Sequence, residues 1–507
     1  MTYFIGDGFD WYAAVTDGGA NFWETSGVGA NIDATFTRFG TGQCILINNS
    51  GFAGDCFTKT GSTNEATWFA SIAVATVNTA AVAMIAVAFR DGGTAQCTVA
   101  FQGNGSIVVY SGAVGGAVLA TFLGALPVAN DWHQFQIKAI IHNTAGEVHI
   151  RKDGATSDTY VVTGVNTRGG TANNYANAVC LRKESGSFTR FDDLLFYNGN
   201  VSDTPNDWIG DVRAVQLPPT LDISTAFARV STGSLVAGIS TSNSTRAIVA
   251  NQLWTTTRFS VTQGGVFSSC TFAMNAGFTG KAKIALYLAD GNVQGGVPDN
   301  QPGTLIAVSN EIVNPATGAN TATFANPVGM MKGYSYFFAI LTDTNCTVSS
   351  TSGGTEFVYT GSYVSGFPNS LTGLNVAAPA AQSPTISVTL TANNAGCVSD
   401  EFQDTLTTYL QDNVVGHSDL YNIFGLWYTP ASVVGVNLRA LVQKSQATAR
   451  GFKITASSGG VAFDSTEYAL TTSFSQFNSF KSTDPATGLA WLPAAVNALQ
   501  IGPKVSS

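Results

Sequence analysis

Alternation with a period of two dominates the chain. Over 133–141, His133, Phe135, Ile137, Ala139 and Ile141 fall on one face and Gln134, Gln136 and Lys138 on the other, the pattern of a strand with one buried side. Runs rich in Val, Ile, Thr, Phe and Tyr recur at 106–110, 283–288 and 385–390, between clusters of Gly, Asn and Asp. This texture predicts an all-β chain built from several β-sandwich or jelly-roll units. Helix signals are few. The clearest is 492–499, where Pro493 suits the first position of a short helical turn.

Two proline-marked breaks divide the pattern, at Leu217, Pro218, Pro219 and between Pro379 and Pro384. They predict three pieces, 1–216, 217–396 and 397–507, the last a small C-terminal β domain. Each is long enough to bury its own core.

Composition narrows the class. Charged residues make up 11% of the chain, against ~25% in an ordinary soluble protein. The longest apolar-leaning stretch, 69–89, is interrupted by Ser71, Thr76, Asn78 and Thr79, so no membrane insertion is expected. The 32 Phe, 15 Tyr and 8 Trp supply material for cores and argue against disorder. The net charge is −9, with no run of Lys or Arg. Nucleic acid is therefore not expected as a partner, because phosphate binding needs a basic stripe. Residues 1–7 lack a basic segment followed by an apolar one, so synthesis in a host cytoplasm without a secretory signal is expected. The seven Cys, at 44, 56, 97, 180, 270, 346 and 397, are scattered and form no CxxC. They read as small buried residues rather than a disulfide framework.

Residues 132–154 read as two strands joined by the loop Asn143 to Gly146 and followed by the turn Asp153-Gly154, and 191–197 as a further strand. Together they resemble a laminin-G/concanavalin-like sandwich, in which Trp132 would anchor a strand start and the glycines would supply turn conformations. A narrower set is similar to tailed-bacteriophage virion proteins. It comprises Phe9 to Tyr12, Arg38 to Gln43, Asp192 to Asn198, and Asn206 to Pro218, which includes Trp208, Gly210 and Arg213. Gly435 to Ala440, Asp484 to Trp491 and Val496 to Gln500 resemble the usual companion domain of those proteins. The resemblance spans about 1–216 and 397–507 and implies no enzymatic activity. Residues 217–396 interrupt it. Within them, 281–288, Gly296 to Leu305 and 333–340 resemble a β-sandwich of the carbohydrate-binding-module type.

Candidate chemistry is sparse. His133 falls on an apolar face and reads as a packed residue. His142 and His149 fit one polar face of a hairpin, but two imidazoles need carboxylate or thiolate help to hold a metal. Asp192 and Asp193 are adjacent in a strand, so alternation sends them to opposite faces. A structural role is expected for them. Whether calcium binds near Asp192, Asp193, Asp203 or Asp207 stays open, with no EF-hand loop in the chain. There is no GxSxG, GxxxxGK[ST] or HExxH, and Gly115-Gly116 and Gly264-Gly265 precede strands or loops rather than helices. No catalytic residue, metal or cofactor is therefore expected.

The resemblance implies a non-enzymatic structural protein of a bacteriophage virion, a peripheral tail component such as a fibre, spike or baseplate-associated chain. Its expected partners are other virion proteins, further copies of itself in a homo-oligomer, and a host cell-surface glycan. The middle block is expected to face the ligand, through Asp299 and Asn300 on one side and Tyr359, Tyr363 and Phe367 on the other, because sugars stack on flat aromatic rings. Packing of that aromatic loop over the second core is the alternative. The C-terminal block is expected to attach, with Trp427, Tyr428 and Trp491 as anchors or, alternatively, core residues. Two further alternatives are a capsid decoration or head-fibre protein, and a polysaccharide-degrading tail enzyme. The enzyme would need two carboxylates about 5–9.5 Å apart in a groove.

Overall fold

A computed structural model describes residues 4–9, 23–26, 30–33, 38, 44–47, 54–76, 83–126, 131–184, 189–199, 207–215, 217, 219–230, 235–261, 264–289, 301–330, 334–353, 356–369, 371, 382–391, 393–398, 409–426 and 429–507. The chain is all-β, as the alternation predicts. Among the described residues the helices are Asn394–Val398 and Pro493–Asn497, the second starting at Pro493 as expected. Two compact units form. One comprises 1–216 with 428–497 and Ser507, the other 217–427 with 498–506. The first boundary falls at the Leu217 break. The stretch 397–507, read above as a domain of its own, is divided between the two units.

The first unit is a sandwich of two antiparallel sheets. One runs Tyr160–Val165, Gly146–Lys152, His133–Ile140, Thr67–Thr76, Thr189–Asn198, Cys44–Ile47, Ala30–Asp33, with Phe4–Asp7 also on Thr189–Asn198. The other runs Ala117–Phe122, Ile107–Ser111, Thr94–Gln102, Ala83–Asp91, Ala176–Lys183, Gly54–Glu65, Thr25–Ser26. Phe101 and Phe135 meet between the sheets at 5.1 Å, and Phe9, Trp23, Phe57 and Phe191 form an edge-to-face cluster. Full burial of such rings stabilises by about 1.5–3 kcal/mol each. The unit also holds the hairpin Val436–Val442 with Ser475–Lys481, and the strands Gly451–Ser458, Val461–Asp464 and Tyr468–Ala469.

The face of His133–Ile140 read as polar is not open. Gln134 and Gln136 are buried. Gln134 Nε2 donates to Ser71 Oγ at 2.5 Å, and Gln136 Oε1 accepts from Gly210 N at 3.0 Å. Residues 207–215 lie across this face. The His133 side chain is mostly buried, its ring 6.4 Å from that of Phe135, and its Nδ1 pairs with Asp153 Oδ2 at 2.7 Å at the edge of the core. The Asp153-Gly154 turn forms as predicted, with φ of 51° and 73°.

The second unit contains another sandwich. One sheet runs Leu235–Gly238, Ile386–Leu390, Gly265–Met274, Cys346–Ser352, Ser244–Ile248, with Gly318–Met330 on Gly265–Met274 and Gln382–Pro384 on Cys346–Ser352. The facing sheet runs Leu305–Val308, Lys281–Leu288, Ser335–Thr342, Gln252–Thr255, Val358–Thr360. Phe267 of the first meets Phe338 of the second at 6.3 Å. Leu235 and Leu390 are register partners, so the sandwich begins and ends on adjacent strands. Outside it, Leu420–Ile423 pairs with both Pro219–Ser224 and Gln500–Val505, and Ala228–Val230 pairs with Tyr409–Gln411.

Candidate functional site

The aromatic loop is core. Tyr359, Tyr363 and Phe367 are buried with Leu253, Tyr287, Phe337, Phe357 and Leu371. The segment around them is pinned down. Gly361 N donates to Asn251 O at 2.9 Å, Tyr363 N to Asn251 Oδ1 at 2.9 Å, and Tyr287 Oη to Pro368 O at 2.9 Å. No ring face is left for a sugar, which corrects the expectation for these three residues. The packing of Phe337, Tyr287 and Leu253 on one side of the sheet demands a cover, and this loop provides it. Trp491 is also a core residue, its Nε1 donating to Lys481 O at 3.0 Å. Its neighbours Leu489 and Leu492 are 70% and 67% exposed. Asp299, Asn300, Trp427, Tyr428 and Asp203 lie outside the described residues.

The segment bearing Trp208 is a strap. Phe69 stacks on Tyr197 at 5.0 Å, Trp208 meets Phe69 edge-on at 5.6 Å, and the Arg151 guanidinium lies 4.2 Å from the Trp208 ring centre. Asp193 sits where the Thr189–Asn198 register shifts between Asp192 and Leu195, with φ of 49°, so the simple alternation expected of the pair does not hold. Its buried carboxylate accepts from Arg38 Nη1 at 2.7 Å and from Ala214 N at 2.8 Å. Burial pushes this carboxyl up, against Arg38 and the Ala214 amide, which pull it down. Arg38 also donates to Val212 O at 3.0 Å and pairs with Asp211. Three of the stretches that carry the virion resemblance, those beginning at Arg38, Asp192 and Asn206, thus meet at one guanidinium.

The histidines do not converge. His142 Nδ1 accepts from Thr144 N and Ala145 N at 3.1 and 2.9 Å, capping its own turn. His149 lies between Glu147 and Asp158 at 2.8 and 2.7 Å, and His417 pairs with Asp412 at 2.7 Å. No group of three or more metal-ligating side chains occurs among the described residues.

A charged cluster that the sequence did not announce lies on the seven-stranded sheet of the first unit. Alternation directs Val87, Phe89, Val99 and Leu181 inward and Arg90, Arg182 and Glu184 outward. Asp55 is the register partner of Arg182. Arg90 Nη1 and Nη2 grip Asp55 Oδ2 and Oδ1 at 2.8 and 2.7 Å, a bidentate pair. Arg182 Nη1 donates to Asp55 Oδ1 at 2.9 Å, and its Nε lies 2.8 Å from Glu184 Oε1. The hydrogen bonds from Arg90 hold the Asp55 carboxyl down to about 2. Burial, helped by the Asp55 charge, pushes Glu184 up against the pull of Arg182. Two carboxylates sharing one guanidinium are thus driven apart in proton affinity, as an acid and its ionised partner are. The cluster is neutral overall, and the side chains of Asp55 and Arg182 are about a third exposed.

No protein-family model matches the chain, and no curated protein sequence does. Similar solved structures include the catalytic domain of a glycoside hydrolase family 131 protein from Coprinopsis cinerea, at 12% identity and a TM-score of 0.26, covering 38% of this chain and 94% of that one. Arcelin-5, a lectin-like defence protein from Phaseolus vulgaris, matches at 10% identity and a TM-score of 0.22, covering 38% and 91%. The lectin I-B4 from Griffonia simplicifolia matches at 9% identity and a TM-score of 0.20, covering 38% and 92%.

Proposed function

We propose that this chain is a non-enzymatic structural protein of a tailed-bacteriophage virion, a peripheral tail component whose second unit contacts a host-surface glycan. One observation carries this reading. The flanking segments that resemble virion proteins fall largely into a single compact unit, 1–216 with 428–497, while 217–396, which interrupts the resemblance, belongs to the other unit together with 397–427 and 498–506. That is the arrangement of a scaffold carrying an insertion. Loop-closure cost grows only slowly with length, so such an insertion is tolerated when its ends lie together. Leu235 and Leu390 are paired neighbours. Exposed Leu489 and Leu492 in the first unit supply apolar surface for attachment to virion neighbours or further copies of the chain.

The test is removal of 235–390 with a short Gly-Ser bridge. Particles should still incorporate the chain but adsorb to cells at least tenfold more slowly. Normal adsorption would refute glycan recognition by this unit, and absence of the full-length chain from purified particles would refute the virion role.

The Asp55–Glu184 arrangement favours a second reading, hydrolysis of a polysaccharide with Glu184 as the proton donor. Purified protein would then release reducing ends from host polysaccharide, and Glu184→Gln would abolish the release. On the first reading neither protein releases any.

A further inference from the structure

The second sandwich buries a carboxylate that receives no hydrogen bond from the described residues. Glu356 is fully buried, and among the described residues neither of its oxygens has a hydrogen-bond donor. It precedes Val358–Thr360, the terminal strand of one sheet. Arg246 lies on Ser244–Ile248, the terminal strand of the other. Phe357 and Tyr359 point into the outer aromatic cluster. Alternation therefore turns Glu356, with Val358 and its register partner Trp254, towards the opposite sheet. Arg246 Nη2 is 3.6 Å from Glu356 Oε1, within ion-pair reach but too far for a hydrogen bond. The guanidinium rests 4.3 Å from the Trp254 ring centre, and among the described residues Arg246 Nε and Trp254 Nε1 also have no hydrogen-bond partner.

An ionised carboxylate here would lack the donors that make a buried charge tolerable. The neutral acid costs less there, because it carries no charge to be solvated. Water entering between the two terminal strands would solvate the anion and the orphaned donors together. We propose that Glu356 is a proton-operated latch at one edge of the second sandwich: protonated, it keeps the edge closed over Arg246 and Trp254, and on losing its proton it drives the two terminal strands apart and admits water.

Burial raises this carboxyl to about 7, with the Arg246 charge opposing the rise, and Arg246 is the one charged group acting on it among the described residues. The sign follows. The folded chain holds this proton where the unfolded chain has released it, so the closed edge is fully favoured below the ordinary glutamate range. It loses that advantage as the pH climbs to about 7 and beyond.

The test is hydrogen exchange of the full-length chain between about pH 5 and pH 9, corrected for intrinsic rates. Amides of 244–248 and 356–360 should lose protection by up to about tenfold per pH unit above neutrality. Protection in Lys281–Leu288, at the centre of the same sandwich, should hold. In Glu356→Gln the edge amides should stay protected throughout. An unchanged pH slope in that variant would overturn the proposal. If the variant does not fold, infrared difference spectra of the unaltered protein decide. One protonated carboxyl band should persist at pH 6 and vanish by pH 8, and its absence at pH 6 would equally overturn the latch.

Discussion

Asp419→Ala should lower the stability of the second unit by about 4 kcal/mol or more, because it strips one buried acceptor from four donors at once. Asp419 is fully buried. Its Oδ1 accepts from Phe227 N at 2.9 Å and from Ala226 N. Its Oδ2 accepts from Asn394 Nδ2 at 2.8 Å and Tyr421 Oη at 2.7 Å. These groups come from separate stretches, so the carboxylate organises the chain where Pro219–Ser224 meets Leu420–Ile423. Asp222 extends the arrangement by accepting from Asn394 N at 3.0 Å and Ala395 N at 2.6 Å, at the start of the helix Asn394–Val398. Each donor left unpaired in the interior costs about 1–3 kcal/mol, and Ala offers no replacement. Asn keeps one acceptor oxygen and should cost about half as much. Denaturant titration of the full-length chain is the measurement. A change below about 1 kcal/mol for Asp419→Ala, the size of an ordinary surface substitution, would show that the hub does not hold this region.

Strand content was legible because period two is written directly into runs such as 133–141, and apolar residues cluster in short runs such as 283–288. What covers a strand was not. Gln134 and Gln136 read as solvent-facing, since a polar side chain on an alternating strand normally meets water. Here water is replaced by the backbone of Gly210 and the hydroxyl of Ser71, partners that local pattern cannot name. Tyr359, Tyr363 and Phe367 failed as binding residues for a related reason. A rim that stacks on sugar and a loop that roofs an aromatic sheet face use the same residue types, and only the fold distinguishes them. The break at Leu217 separates units because the chain leaves the first one there. The break before 397 does not, because the chain returns to the first unit only at 428, beside the lone Pro430 rather than a cluster of prolines. The Asp55–Arg90–Arg182 cluster was invisible because it is assembled across strands distant in sequence.

Arg38→Met should destabilise the first unit by about 3–5 kcal/mol, the usual cost of breaking a buried ion pair by removing one partner. Asp193 would keep the Ala214 amide but lose the guanidinium 2.7 Å away that balances its charge. The strap would lose its links to Val212 O and Asp211 while Trp208 stayed on Phe69. Freed of Arg38, the carboxyl should hold its proton to higher pH still, because burial is then opposed by fewer favourable contacts. A carboxyl raised in the folded state favours folding at low pH, so the deficit of the variant should shrink as the pH falls from 7 towards 5. Adding Asp193→Asn to Arg38→Met should restore more than half of the lost stability. Asn removes the unpaired charge and tolerates the positive φ of this position. Thermal unfolding of the three variants, with limited proteolysis within 207–215, measures both effects. If the double variant is no more stable than Arg38→Met, the cost lies in lost packing of the long Arg38 side chain and not in an abandoned charge. The strap is then held by its aromatic contacts.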